Sequence, residues 1–547
     1  MLASGPARYP HGLPSAALRG SAVTFLALVT CLLALPTPAA AQGAERPNIV
    51  LVVTDDQRWD TLWAMPTVSS ELVGKGVTFA NAFATNPLCC PSRASILTGT
   101  YSHANGVWSN AGGEHGGMKV FDDRATVATW LDRAGYETML VGKYLNGYSS
   151  NIVPFTYVPP GWDRWLAFFG APGYFSYRLT DGRRIRRFGP GPVEEEYSTD
   201  VLGARAAGFI RTATAPFFLY FAPFAPHTNG LFTVEPAPRH VDAFAGTAYT
   251  PSPSVNEANV SDKPRVIRRR GVLPVGRLTE LREEQLESLL AVDDAIARML
   301  RELRETGELR NTLFLLTSDN GYSWGEHRWA GKRVPYEESI RVPLVARWDA
   351  VGVGARRENR LALNIDLAPT IARAAGAPVR RRDGRSLLPL LPGGPSSWRS
   401  WFLLEYHDPA FFPAYCGTRS RRWKYVQYRN GAEELYHLAT DRYELHNLAD
   451  KPRYRARLMD GRARVRRSAC RPPGDFRPLA LCSRTGTGRA DTLLGTRWRD
   501  WICGRGGRDR IDVSGGNRDV VRCGRGRDVV RIDRRDRTDG CELVRRG

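Results

Sequence analysis

From residue 46 onward, short runs of apolar residues alternate with stretches whose apolar positions return every three or four residues. Residues 48–53 read Asn-Ile-Val-Leu-Val-Val, and residues 137–141, 216–221 and 312–316 have the same character. Runs this short and this continuously apolar fit strands buried on both faces. Residues 126–134 and 281–303 carry helical spacing instead. The second has Leu286, Leu289, Leu290, Val292, Ile296, Met299, Leu300 and Leu303 on one stripe. Strands alternating with helices predict an α/β fold, with a mainly parallel central sheet covered by helices on both faces. In such sheets, sites collect beyond the carboxyl ends of the strands. Residues 46–375 are the expected extent of this unit.

The pattern changes further along. Residues 401–405, 423–428 and 434–438 read as antiparallel strands of a smaller α+β unit spanning 376–470. Residues 254–280, with Arg268-Arg-Arg-Gly271, read as a surface excursion. In the tail, residues 471–547, Asp491, Asp500, Asp509, Asp519 and Asp528 recur at spacings of 9, 9, 10 and 9, with glycines at matching offsets. This resembles a degenerate calcium β-roll repeat, with arginines at places where that repeat has Gly or Asn. A short β-solenoid held by Arg–Asp pairs and disulfides, binding calcium weakly at most, is one reading. A disulfide-held or disordered basic tail is the other.

The first residues add a compartment. Arg8 and Arg19 precede the apolar run 22–35, and Ala39-Ala40-Ala41 closes it. That is the order of a secretory signal, predicted to cover residues 1–41. A retained N-terminal anchor is the alternative. Five of the 9 cysteines (Cys470, Cys482, Cys503, Cys523, Cys541) lie in the last 78 residues, and export makes disulfides plausible there. The formal net charge is +21, and the tail holds 19 Arg against 11 acids. Such a balance attracts anionic glycans or cell-wall polymers. It also fits an arginine-rich composition with no partner. No nucleic acid is expected, because no recognition motif accompanies the charge.

Candidate chemistry sits where the sheet argument puts it. Asp55-Asp56 follow the run 48–53, and Asp319-Asn320 follow 312–316. Three carboxylates and one amide oxygen suit a hard cation such as Ca²⁺ better than zinc. Alone, an Asp pair after a strand is more often a turn or a cap. The segment Cys89-Cys-Pro-Ser-Arg93-Ala-Ser-Ile-Leu-Thr-Gly99 changes that balance. It resembles the C-x-P-S-R…T-G signature of the type I, formylglycine-dependent sulfatases, an alkaline-phosphatase-like group.

The resemblance covers about residues 46–450. It implies that a formylglycine-generating system oxidises Cys89. It implies that Asp55, Asp56, Asp319, Asn320 and the modified Cys89 hold Ca²⁺. It implies that Arg93 helps hold the formylglycine, and that Lys143, His227 and Lys332 contact the sulfate or the leaving oxygen. Asn146 and His327 are further substrate-binding candidates. One position departs: many sulfatases have a His two residues after the first Lys, and here Leu145 stands there. The motifs Gly142-Lys-Tyr-Leu-Asn146, Gly161-Trp-Asp-Arg-Trp165 and Tyr336-Glu-Glu-Ser-Ile-Arg341 look most similar to N-acetylglucosamine-6-sulfatases. The resemblance therefore implies a sulfated carbohydrate substrate. The alternatives are a phosphonate monoester or phosphodiester hydrolase, and an inactive glycan-binding protein on the same scaffold.

Overall fold

In the computed structural model, the described residues are 46–470 except 111–115, 190, 192, 215, 230–232, 380–381, 396, 409–410 and 469, together with 484–546 except 488, 496–500, 505, 516–518, 525 and 540. The expected export segment 1–41 lies outside them. So do Cys482, Asp500, Arg505, Arg518 and Arg525 of the tail.

Ten strands form one sheet. They are β1 (Asn48–Thr54), β2 (Val77–Phe83), β3 (Glu137–Gly142), β4 (Arg164–Phe168), β5 (Arg178–Thr180), β6 (Ile185–Arg187), β7 (Phe217–Ala222), β8 (Thr312–Ser318), β9 (Leu344–Arg347) and β10 (Arg356–Leu363). Their spatial order is β10-β2-β9-β8-β1-β7-β3-β4-β5-β6. The four predicted runs are β8, β1, β7 and β3, which lie side by side at the centre and pair in parallel. The outer strands were not foreseen. β9 and β5 run antiparallel to their neighbours, and the peripheral strands mix polar with apolar residues.

The alternation of β1 explains the layers. Ile49, Leu51 and Val53 point into a core with α1 (Cys89–Thr98), α2 (Val127–Arg133) and α5 (Leu367–Ala374). Val50 and Val52 point the other way, into a core with α3 (Ser198–Thr212) and α4 (Val275–Glu305). Successive strand side chains leave opposite faces, so a strand covered on both sides must be apolar throughout. Helix α2 begins as the sequence suggests: Thr126 and Thr129 form a reciprocal capping box.

The smaller unit is an antiparallel sheet of β11 (Trp401–Tyr406), β12 (Tyr415–Ser420), β13 (Trp423–Tyr428) and β14 (Glu433–His437). Helix α6 (Arg455–Arg467) packs against it, and the Cys416–Cys470 disulfide ties β12 to the chain beyond that helix. Buried ion pairs bind this sheet to the main unit. Glu337 meets Arg419 and Lys424 at 2.9 Å each, and Lys424 meets Glu444 at 2.6 Å.

The tail forms two parallel four-stranded sheets around Ile502, Ile511, Val521, Val530 and Ile532. The Cys523–Cys541 disulfide joins neighbouring turns, and Cys503 is also disulfide-bonded. From Asp491 to Asp536 one full turn takes 17 to 19 residues, so the nine-residue Asp spacing is about half a turn. Of the arginines expected to pair with the repeated Asp, Arg505, Arg518 and Arg525 lie outside the described residues, and the described carboxylates accept from backbone amides. Asp509 and Asp528 are buried, and their carboxylates accept the backbone N–H of Asp491 (2.9 Å) and Asp509 (2.8 Å) on the preceding turn. Asp536 does the same for Asp519 at 2.8 Å. Arg531–Asp512, at 3.8 Å and well exposed, is the ion pair among the described tail residues. A buried carboxylate takes an amide donor more readily than a guanidinium that would lose its water.

Candidate functional site

The strands β8, β1, β7 and β3 end next to one another, and each delivers a polar residue at its carboxyl end. Asp55 and Asp56 follow β1. Asp319 and Asn320 follow β8, level with them because Thr54 pairs with Ser318. Lys143 follows β3, where Gly142 has φ 115° and an added Cβ would meet the Ala222 carbonyl oxygen at 2.0 Å. That position accepts only glycine. His227 follows β7. Helix α1 begins at Cys89 and lies wholly buried over these strand ends, so its first N–H groups open toward them.

The side chains converge. Cys89 Sγ lies 2.8 Å from Lys332 Nζ and 3.5 Å from Asp55 Oδ1. Lys332 Nζ also reaches Asp56 Oδ1 and Oδ2 at 2.5 and 2.7 Å. Lys143 Nζ donates to Asp55 Oδ2. Arg93 is fully buried, with Nε donating to Asp319 Oδ2 at 2.7 Å and Nη1 to the Lys143 carbonyl at 3.0 Å. His227 Nε2 lies 3.5 Å from Asp56 Oδ2, while Nδ1 is bonded to the Thr228 carbonyl. Asn320 Nδ2 donates to Asp56 Oδ1 at 2.6 Å. Asp56 holds φ 68°, a left-handed conformation uncommon outside glycine.

Burial pushes the Cys89 thiol up to about 12, so an unmodified Cys89 is neutral. Burial works against the charge of Asp55 too, but Lys143, His227, Arg93 and Lys332 outweigh it and hold that carboxyl well below its usual range. Asp319 goes the other way, to about 6, through burial and the neighbouring Asp55 charge. Burial and then Lys332 lower His227 to about 4. Two adjacent carboxylates with opposed shifts are what crowding of negative charge in a dry site produces.

Two candidates sit apart from this cluster. Asn146 is placed behind it: its backbone hydrogen-bonds the Cys90 thiol and accepts from Met118 N–H. Cys90 itself is buried and free, in the core beneath α1. His327 is buried, with Nδ1 on Glu257 at 2.7 Å and its ring 3.9 Å from that of Tyr336. It helps fold the loop that carries Lys332. Glu326 in the same loop pairs with Arg58 at 2.8 Å, and the Arg328 guanidinium donates to the carbonyls of Glu257, Ala258 and Arg270. Residues 254–270 are therefore in part a clamp rather than a surface excursion, with Ser254, Glu257, Lys263 and Ile267 buried. Arg58, Glu257 and Glu326 were not foreseen, since partners so far apart in the chain leave no local pattern.

The donor set fits a hard divalent cation. Asp55, Asp56 and Asp319 bring three buried carboxylates together, and Asn320 Oδ1 is buried without a hydrogen-bond partner. All are oxygen donors.

Comparison with known proteins identifies the family. Residues 47–377 match the Sulfatase family, and residues 325–467 match the family described as N-sulphoglucosamine sulphohydrolase, C-terminal. The N-acetylglucosamine-6-sulfatase of Homo sapiens is 34% identical over 415 residues, 73% of this chain and 73% of that one. A solved complex of a protein with its substrate D-glucosamine-2-N,6-O-disulfate has a TM-score of 0.67 at 25% identity, covering 77% of this chain and 97% of that one. The phosphonate monoester hydrolase of Agrobacterium radiobacter has a TM-score of 0.60 at 23% identity, covering 76% and 94%, a likeness of fold alone.

Proposed function

The chain belongs to the sulfatase family, and from that premise we propose that it hydrolyses sulfate esters on a carbohydrate such as N-acetylglucosamine-6-sulfate or a sulfated glycan. The observation that carries this reading is the placement of Cys89. Its Sγ sits at a helix N-terminus, 2.8 Å from Lys332 Nζ and 3.5 Å from Asp55, over the ends of four adjacent strands.

Cys89 is the residue for conversion to formylglycine, whose hydrate supplies one hydroxyl to attack sulfur and a second to expel sulfate. Asp55, Asp56, Asp319 and Asn320 are the residues for Ca²⁺, which when bound polarises a sulfate oxygen and makes an adjacent hydroxyl more acidic. The chain's own groups do the rest. Lys332 and Lys143 hold positive charge where the sulfate oxygens lie. Arg93 fixes Asp319 and the Lys143 carbonyl, so it orients the cluster from behind. His227 donates Nδ1–H to a carbonyl, which turns Nε2 toward the leaving alcohol. A bound sulfate ester adds negative charge there and raises the imidazole toward the protonated form that releases the alcohol.

We assign residues 46–375 to the catalytic unit, 376–470 to the smaller unit and 471–547 to an appended tail. We place the protein outside the cell, after loss of residues 1–41. The disulfides Cys416–Cys470 and Cys523–Cys541 support an oxidising compartment. Among the described residues, no helix is long and apolar enough to cross a membrane. The basic tail is the surface for an anionic glycan or cell-wall polymer.

The test is sulfate release by matured enzyme from a panel of sulfated mono- and oligosaccharides, with an aryl phosphonate alongside. Turnover of N-acetylglucosamine-6-sulfate far above that of the phosphonate is expected. The reverse preference would sink the sulfated-carbohydrate reading.

A further inference from the structure

The loop that delivers Lys332 carries a second cation, which meets no acid among the described residues. Arg333 follows Lys332 directly, with φ 82°. Its backbone N–H donates to the Pro87 carbonyl at 3.1 Å, two residues before Cys89. The guanidinium lies over the ring of Phe411, with Cζ 4.3 Å from the centroid. Its Nε is buried without a hydrogen-bond partner, and no ion pair to Arg333 occurs among the described residues.

Three other arginines are matched by acids: Arg58 has Glu326, Arg93 has Asp319, and Arg419 has Glu337. Arg270, stacked over Trp329 at 3.9 Å with a buried unpartnered Nε, resembles Arg333 but lies on the clamp segment behind the loop. A guanidinium is a five-donor fork, and one left without oxygens beside a reaction centre is a receptor for an anion. Arg333 is set beside the site by its chain neighbour Lys332, whose Nζ lies 2.8 Å from Cys89 Sγ, and by its backbone bond to Pro87. Phe411 is 61% exposed, unusual for so large an apolar ring, and it holds the guanidinium plane by cation–π contact. Its free surface suits the C–H face of a sugar.

We propose that Arg333 and Phe411 form a second anion subsite, which binds a further sulfate on the sugar unit whose ester is cleaved at Cys89. This rests on the sulfatase reading above. The left-handed backbone at Arg333 and its bond to Pro87 fix the fork relative to Cys89, so the subsite selects by spacing as well as by charge. A uronate carboxylate on a neighbouring sugar offers similar oxygens, and the experiment separates the two.

Matured full-length enzyme is assayed for 6-sulfate release from N-acetylglucosamine-6-sulfate, from glucosamine-2-N,6-O-disulfate, and from a disaccharide of 6-sulfated N-acetylglucosamine with a uronate. The readout is the ratio of kcat/KM for disulfate over monosulfate. The native enzyme is expected to prefer the disulfate by about tenfold or more, as for hydrogen bonds to a charged group. Arg333→Gln should bring the ratio near unity, mainly through KM, and Arg333→Lys should keep part of it. Phe411→Leu, on an exposed side chain, should lower it about two- to threefold.

A native enzyme without preference overturns the proposal, as does a preference that survives Arg333→Gln. A fall shared equally by all substrates means that Arg333 only shapes the Lys332 loop, and the subsite fails. A fall confined to the uronate disaccharide assigns the fork to a carboxylate and likewise overturns it. If the native enzyme is inert on the glucosamine esters yet turns over an aryl sulfate, the carbohydrate reading fails and takes the subsite with it.

Discussion

Both ends of this molecule bury aspartates, and they do so in opposite ways. At the strand ends, Asp55, Asp56 and Asp319 face one another and lean on Lys143, Lys332 and Arg93. In the tail, Asp509 and Asp528 each accept a backbone N–H from the turn before. The first arrangement gathers charge at one point and balances it with charges from distant parts of the chain. The second spends each carboxylate on a local amide and repeats. At the ends of parallel strands, a buried carboxylate held by cations and by its own kind marks chemistry, because that cluster is costly unless an ion or substrate joins it, whereas the Glu337–Lys424–Glu444 cluster ties two sheets together. A buried carboxylate held by amides marks architecture.

The largest effect should come from the nucleophile. Cys89→Ala is expected to lower sulfate ester turnover by more than roughly 10⁴-fold, as loss of a nucleophile does elsewhere. The fold should persist, because Cys89 contributes no core contact that Ala cannot make. In the native protein, mass spectrometry should find the Cys89 peptide carrying an aldehyde in place of its thiol. Substantial turnover by the Ala variant would remove Cys89 from the chemistry.

The proposed metal ligands come second. Asp319→Asn keeps the shape but removes the charge that Arg93 meets and a bound cation would use, and it replaces one of two accepting oxygens by an NH2 group that faces the Arg93 Nε–H or the Asp56 N–H. A loss of about 10²–10³-fold in kcat is expected. Prolonged chelation should produce a similar loss in the native enzyme, reversed by Ca²⁺, with a lower unfolding temperature because the ion binds the folded state. If chelation changes neither activity nor melting, the strand-end cluster is balanced by its lysines alone.

The same contrast explains what could be read from the sequence. Four strands were legible because β8, β1, β7 and β3 are buried on both faces and so carry a continuous apolar run along their centres. Strand β2, Val-Thr-Phe-Ala-Asn-Ala-Phe, lies toward the sheet edge and lacks that uniformity. Part of the cluster was legible because Asp55, Lys143 and Asp319 directly follow strands built on apolar runs, and the rest because residues 89–99 carry a recognisable signature. The loop behind Lys332 was not. Arg58 and Glu326 are 268 residues apart, and nothing local to either announces the other. In the tail the period was legible and the partner was not. Spacing locates an Asp on a turn, while the choice between guanidinium and amide depends on how deeply the turn is buried.

Removing residues 471–547 should separate the two regions outright. Hydrolysis of a small aryl sulfate is expected to stay within about twofold, since surface changes remote from a site rarely move it. Retention on an immobilised polyanion should weaken, and more at low than at high salt, because screening has already reduced the interaction at high salt. A folded truncated protein without small-substrate activity would place the tail inside the catalytic unit and erase the contrast.

The smallest expected effect is the sharpest test of the amide-held carboxylate. Asp509 accepts the Asp491 N–H through Oδ1, and its own N–H donates to Asp528. Oδ2 is buried without a partner. Burial raises the Asp509 carboxyl, the Asp491 N–H bond opposes this, and the charges of Asp528 and Asp491 add to the rise. Protonation therefore favours the folded tail, and its stability should increase as pH falls through that raised range and decline as pH rises. Asp509→Asn keeps the acceptor and drops the charge, so it should be neutral or mildly stabilising near pH 7 and should flatten this pH dependence. Asp509→Ala should cost about 1–3 kcal/mol locally, by leaving a buried N–H unmade. Hydrogen exchange at the Asp491 amide reads both. If Asn destabilises as much as Ala, the charge itself is needed, the tail carboxylates serve a cation, and the two regions are alike after all.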